Sequence, residues 1–328
     1  MPNAPLYEDI LEGPKTGYSE WIQTKDKFRI RVAFWPKGDA IGTVLIFPGR
    51  NEYIEKYGRT SKKIWELGYS SLVVDWRGQG LSDRYFKNRL IGHVNEFADY
   101  QLDVEAIAKF AELKSLPKPW YLLAHSMGGT IGLRAIHNGL AVKKVIFSAP
   151  MWEIRMNLNY LKNNLMQIYG RNSYFAYKIL KLENNFVPGV DQIPYLKTAE
   201  FKNNSLTTDR NYFQFLKNQI LLHPELALAG PSVKWLSTAL LECQKLRKLT
   251  PPVIPCLTFS SPNDRIVSNS AIKKVLSNWN NSKHLEIGNA EHEVLMEDFD
   301  LLQLLYSCLL YTSPSPRDAT LSRMPSSA

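Results

Sequence analysis

Three residues of this sequence are of types that can act together as a nucleophilic device: Ser126, Asp264 and His292. A serine hydroxyl is a weak nucleophile until an imidazole takes its proton. A carboxylate beside that imidazole fixes its tautomer and stabilises the imidazolium that forms. Ser126 stands in Ala124-His125-Ser126-Met127-Gly128, after the apolar run Tyr121 to Ala124 and before Thr130 to Ile136, which carries apolar residues at helical spacing. A strand that turns into a helix over small residues forms a nucleophile elbow, here with Ala124 in the first glycine position. On that turn the backbone N–H of Met127, at the helix N-terminus, points at a developing oxyanion. His125 is adjacent to Ser126, so it faces the other side of the strand and reads as packing rather than as a base.

Each partner must be delivered by an element of its own. Asp264 follows the apolar stretch Leu257 to Ser260, and His292 follows Leu285 to Ile287. Further upstream, Gly42 to Phe47 and Ser70 to Val74 are continuous apolar runs, the pattern of buried parallel strands. Lys27 to Trp35 alternates apolar and polar and predicts a half-buried antiparallel strand. Ile54 to Leu67, Phe97 to Leu113 and Ser268 to Trp279 predict helices, and Lys144 to Phe147 another strand. Strands alternating with helices predict a doubly wound α/β sheet with right-handed crossovers. In such sheets functional groups collect at the carboxyl ends of the strands. Taken alone, Asp264 also reads as a turn residue after Pro262, and His292 as a helix-capping residue. The order Ser, Asp, His, each past a strand, favours the joint reading.

The rhythm breaks at Met151. From Trp152 to Lys248 the sequence is apolar and helical in pattern, without buried-strand runs. This predicts a first core segment over 1–151, an inserted helical cap over 152–248 and a second core segment over 249–307. Trp152, Ile154, Met156 and Leu158 are candidates for an apolar substrate wall.

The chain has 328 residues, three unpaired-looking cysteines and a net charge of +9. The cysteine spacing argues against a disulfide framework and for an intracellular setting. The opening residues carry no apolar core of a signal peptide, and no run is long enough to span a bilayer. The positive charge is scattered, with no basic helix or zinc spacing, which speaks against nucleic acid binding. It fits peripheral attraction to an anionic membrane, on the inner face if the protein is cytoplasmic. The histidines show no metal-ligand spacing, and neither a metal nor another cofactor is implied.

Several motifs together carry a resemblance. Asp75-Trp76-Arg77-Gly78-Gln79-Gly80-Leu81-Ser82 and Ala290-Glu291-His292-Glu293 resemble signatures of the serine α/β-hydrolases, as does the elbow. Phe47-Pro48-Gly49-Arg50-Asn51-Glu52 resembles their oxyanion strand-end, with Pro48 in place of the usual histidine. Within that superfamily the chain is similar to bacterial lysophospholipases of the L2 type and to monoacylglycerol lipases. The segments Thr208-Asp209-Arg210 and His223 to Pro231 share in the likeness. The resemblance implies an α/β-hydrolase fold, a catalytic triad of Ser126, Asp264 and His292, and an oxyanion hole from the N–H groups of Arg50 and Met127. It also implies a small lipid ester as substrate. Asp75 reads either as a catalytic acid or, as in this signature, as a residue that ties loops together; Glu52 and Arg77, both at strand ends, read either as a buried pair supporting the oxyanion loop or as two separate surface charges.

A same-fold alternative is an aminopeptidase or amidase, which needs a cap carboxylate for a substrate ammonium; Glu153, Glu183 and Asp191 are candidates. A non-catalytic binding protein of this fold would need none of the three triad residues. The stretch 308–328 interrupts an amphipathic helix that begins near Glu297. Back-translated, it matches the constant parts of a transposase-type sequencing adapter, so it is expected to be a non-native tail.

Overall fold

The computed structural model describes residues 2–155, 175 and 177–297. Eight strands form one sheet: β1 (Tyr18–Gln23), β2 (Arg29–Trp35), β3 (Thr43–Phe47), β4 (Ser70–Asp75), β5 (Trp120–His125), β6 (Val145–Ser148), β7 (Cys256–Ser260) and β8 (Ser282–Glu286). Their order is β1-β2-β4-β3-β5-β6-β7-β8. The first two pairings, β1 with β2 and β2 with β4, are antiparallel, and the remaining five are parallel. β3, β4, β5 and β6 are buried at every residue, which is why they read as unbroken apolar runs. This is the expected α/β-hydrolase architecture.

Two features depart from expectation. No element was expected at 18–23, where β1 lies; its buried residues include the polar neighbours Ser19 and Glu20, on opposite faces, so it carries no apolar alternation. β2 is buried along all but its first residue rather than on one face, and Arg31 on it is fully enclosed. The guanidinium of Arg31 survives burial because two carboxylates meet it. Nη1 and Nη2 donate to the two oxygens of Glu55 at 2.7 Å each, and Nε donates to Asp75 Oδ2 at 2.8 Å. Such bidentate pairing is what makes an enclosed charge tolerable.

Asp75 ties loops together, as expected. Its carboxylate also accepts from the N–H groups of Ile54 and Leu81, both at 2.8 Å. The end of β4 thereby holds the loop after β3.

The helix Val233–Leu246 falls inside the stretch expected as cap, yet Trp235, Ala239, Cys243 and Leu246 join the main core. Trp152, at the other boundary, is fully buried in that core as well. By packing, the helix Val233–Leu246 belongs with the sheet core. The helix Arg210–Leu222 does pack apart from the sheet core: Tyr212, Phe215 and Leu216 form a small cluster with Leu196, Leu206 and Met296. Met156, Leu158, the helix expected beyond Glu297 and the stretch 308–328 lie outside the described residues. Among the described residues no helix is long and apolar enough to cross a membrane.

Candidate active site

The elbow forms as the sequence demands. Ser126, between β5 and the helix Met127–His137, has φ +48° and ψ −117°, a conformation L-residues seldom adopt. It is held there by three backbone bonds. Its N–H donates to Ser148 O at 3.0 Å, and its carbonyl accepts from Gly129 and Met151, each at 2.9 Å. Gly128 is required by space, since a Cβ there would lie 2.0 Å from the Phe47 carbonyl oxygen. Ala124 is tolerated in place of glycine because Gly132 of the helix faces it; a Cβ on Gly132 would come within 3.3 Å of the Ala124 methyl.

The three residues singled out from sequence meet. Ser126 donates to His292 Nε2 at 2.9 Å, and His292 Nδ1 donates to Asp264 Oδ2 at 2.7 Å. The other oxygen of Asp264 accepts from the N–H groups of Ile266 and Val267 at 2.7 and 3.0 Å. The turn after β7 thus aims the carboxylate, and all three side chains are buried. Burial disfavours a charged imidazole at His292. The Asp264 carboxylate, its hydrogen bond and the charges of Glu293 and Glu52 outweigh that and raise the pKa above the ordinary histidine value. Burial likewise opposes the Asp264 anion, yet His292 and the two backbone donors hold its pKa below the usual carboxylate range.

The loop after β3 lies against Ser126: a Cβ on Gly49 would sit 3.1 Å from Ser126 Cβ. Its peptide groups are clamped on both sides of Arg50. Gly49 N–H donates to Glu52, Gly49 O accepts from Gln79 Nε2 at 3.1 Å, and Asn51 N–H donates to Gln79 Oε1 at 3.0 Å. Met127 is the first residue of its helix, so its N–H has no intrahelical acceptor. Gln79 was not singled out from sequence, because it occupies a variable place in its motif.

The expected Glu52–Arg77 pair does not form. Arg77 bonds Asp103 and Asp26, with Nε 2.8 Å from Asp103 Oδ1. Glu52 instead bonds Lys56, four residues on, and accepts from Tyr57 Oη at 2.6 Å. Lys56 reaches Glu293 too, at 2.6 Å. Burial opposes these charges. Their mutual attraction outweighs it, so the Glu52 pKa falls and the Lys56 pKa rises. The i, i+4 spacing of Glu52 and Lys56 was visible in the sequence; the third member was not.

His125 lies beside this cluster, with Nε2 3.6 Å from both Glu52 and Glu293 and Nδ1 donating to Ser148 O at 3.1 Å. Burial lowers its pKa despite the two carboxylates, which favours the neutral ring. It touches His292 ring to ring, with centroids 4.8 Å apart, and makes no bond to Ser126. Glu52, His125 and Glu293 have ligand atoms close enough together to hold a cation. The Lys56 ammonium already bonds both carboxylates, which makes the donor set a poor fit for a metal.

A cavity of about 340 Å³ opens over Ser126 and His292, with Ile154, Leu196, Leu206, Leu216 and Trp235 among its lining residues. Ile154 is thus where it was expected. Trp152 is not: its ring packs on Phe147 with centroids 5.1 Å apart and Nε1 donates to Gly129 O, so it is core rather than substrate wall. The three cap leucines were missed because the cap has no sheet periodicity to orient them.

A family model described as serine aminopeptidase, S33, matches residues 38–298. The chain belongs to this family. The hydrolase is 27% identical to a probable lysophospholipase L2 of Haemophilus influenzae over 276 residues, covering 83% of each chain. It is also 27% identical to lysophospholipase L2 of Escherichia coli, over 77% of this chain and 75% of that one. A soluble variant of monoglyceride lipase from Saccharomyces cerevisiae, solved with a substrate analog, superimposes with TM-score 0.65 at 19% identity. The superposition covers 88% of this chain and 91% of the yeast one and supports the shared fold.

Proposed function

We propose that this hydrolase cleaves carboxylic esters of single-chain lipids, lysophospholipids or monoacylglycerols, through an acyl-enzyme on Ser126. His292 takes the serine proton as the hydroxyl attacks the ester carbonyl, and Asp264 stabilises the imidazolium. The Arg50 and Met127 N–H groups receive the oxyanion. His292 then protonates the departing alcohol, and water activated by the same histidine releases the fatty acid.

The observation that carries this reading is the composition of the cavity wall. Leu196, Leu206, Leu216 and Ile154 suit an acyl chain. The curated relatives reported above are named for lysophospholipid hydrolysis, which agrees with it. An aminopeptidase would need a carboxylate free for a substrate ammonium. The acids lining the cavity are Glu52 and Glu293, and both are engaged by Lys56. Of the cap acids expected for that role, Glu153 pairs with Arg247 at 3.1 Å, and neither Glu183 nor Asp191 lines the cavity.

We also propose that the protein works on the cytoplasmic side, at an anionic lipid surface. Its net charge is +9, and Phe175, Ile179 and Leu180 stand exposed on the cap beside Lys178 and Lys181. That attraction should weaken with salt.

The test is a panel of p-nitrophenyl esters of increasing chain length run beside aminoacyl anilides. Each buried methylene is worth roughly 0.8 kcal/mol, so kcat/KM is expected to rise from acetyl to at least octanoyl. A preference for acetyl esters or for anilides would remove the lipid reading.

A further inference from the structure

Arg50 carries the site beyond its backbone N–H. Its guanidinium lies over the Trp235 ring, 5.2 Å from the centroid, and Nη2 donates to Ala229 O. Gly92 makes room for it, because a Cβ there would meet Nη2 at 2.5 Å. Gly92 is itself fixed between Gly230 O and the Ser232 N–H, at 3.1 and 2.8 Å. The head group of this arginine is therefore positioned against the Pro231–Trp235 side of the cavity wall.

Among the described residues it has no carboxylate partner. The fully buried arginines, Arg31 and Arg77, each bond carboxylates, whereas Arg50, like Arg84, is partly buried and bonds only backbone carbonyls. No carboxylate among the described residues lies within ion-pair distance of Arg50, and its buried Nε has no acceptor. Residues 156–174 contain neither aspartate nor glutamate. Burial lowers the Arg50 pKa to about 10, which still leaves it charged at neutral pH. A partly buried charge that only a carbonyl meets is poorly compensated, and an arriving anion offsets that cost.

We infer that the Arg50 side chain binds the phosphate of a lysophospholipid head group, making this the substrate class the site favours over neutral monoacylglycerols. The inference rests on the lipid-ester reading above. Geometry and chemistry agree. The Arg50 N–H is offered to the ester oxygen, so its side chain starts beside the reacting carbon. In a lysophospholipid, three glycerol carbons join that ester to a phosphodiester. A guanidinium presents parallel N–H donors that match phosphate oxygens. A monoacylglycerol offers only a hydroxyl there.

The test compares a 1-acyl lysophospholipid with the monoacylglycerol of the same chain, in wild type, Arg50→Gln and Arg50→Lys. The ratio of the two kcat/KM values should favour the lysophospholipid in wild type and fall by roughly tenfold or more in both variants. The ratio is internal, so a general loss of activity does not imitate it. If it is the same in all three proteins, the inference is wrong while the ester-hydrolase reading stands. If wild type hydrolyses neither lipid, the lipid reading fails and takes the inference with it. Binding supplies a second measure that does not depend on folded variants. A 1-O-alkyl lysophosphatidylcholine, whose ether cannot be cleaved, should inhibit wild type at lower concentration than the matching 1-O-alkylglycerol. No advantage for the phospholipid would overturn the assignment. Inhibition by inorganic phosphate as strong as by the ether phospholipid would also overturn it, by making this a free-anion site.

Discussion

Lys56 donates to Glu293 at 2.6 Å, joining residues 237 positions apart. Glu293 follows His292 directly, and Glu52, on the other side of Lys56, holds the Gly49 N–H. One ammonium therefore links the histidine loop to the oxyanion loop beneath the nucleophile.

Replacing that link should be severe. Lys56→Met leaves two enclosed carboxylates without their cation, and breaking a buried pair costs about 3–5 kcal/mol. The expected result is a lower denaturant midpoint. Acid sensitivity gives the sign. The pKa of Glu52 is depressed to about 2, so its stabilisation is present above the ordinary glutamate value, near 4.5, and is lost as pH falls through about 2. In the variant this acid-linked loss should shrink. An unchanged midpoint would show that the link does not matter.

Ser126→Ala should leave a folded protein with esterase activity lowered by about three to six orders of magnitude, since triad members act as a unit. A fluorophosphonate should label wild type and not this variant. Labelling at another serine would reject the assignment.

Asp264→Asn should cost about 10⁴-fold in kcat, as the imidazole loses its proper tautomer. The pH profile carries a second sign. In the proposed mechanism the base is neutral His292, whose pKa is raised chiefly by Asp264 against the opposing effect of burial. The acidic limb of kcat/KM should therefore lie above the usual histidine value of about 6.5. Residual activity in the variant should show that limb at lower pH.

Gln79→Leu probes the clamp on either side of Arg50. Losing both bonds should let the oxyanion loop drift and lower kcat by roughly 10- to 100-fold. Gln79 is a positioning residue, so KM for a short ester should change much less. An equal rise in KM would mean a collapsed pocket instead.

The legible parts of this fold are those with a local cause. β3 to β6 announce themselves because both faces are buried, and the elbow because Gly128 has no space for a side chain. Ser126, Asp264 and His292 were readable from type, order and position after strands. What escaped depends on partners distant in sequence. Arg31 looks like the solvent side of an alternating strand until Glu55 and Asp75 enclose it. Glu20 hides β1 in the same way, buried with Lys114 as its partner. Trp152 looked like substrate wall because nothing in the sequence says that it turns toward Phe147.

The segment proposed as cap is tied by bonds of its own to the loops that carry Arg50 and His292. Leu228 N–H donates to Asn51 Oδ1 at 2.9 Å, Arg50 donates to Ala229 O, and Glu293 N–H donates to Leu206 O at 2.8 Å. Cap and core are therefore not interchangeable modules. A chimera carrying a foreign cap would inherit the triad but not these three tethers. Its losses would extend to the smallest water-soluble esters, which need no acyl pocket at all. Redesign of substrate range in this chain has to keep residues 206, 228 and 229 in register with the loops they hold, and vary Leu196 and Leu216 of the cavity wall.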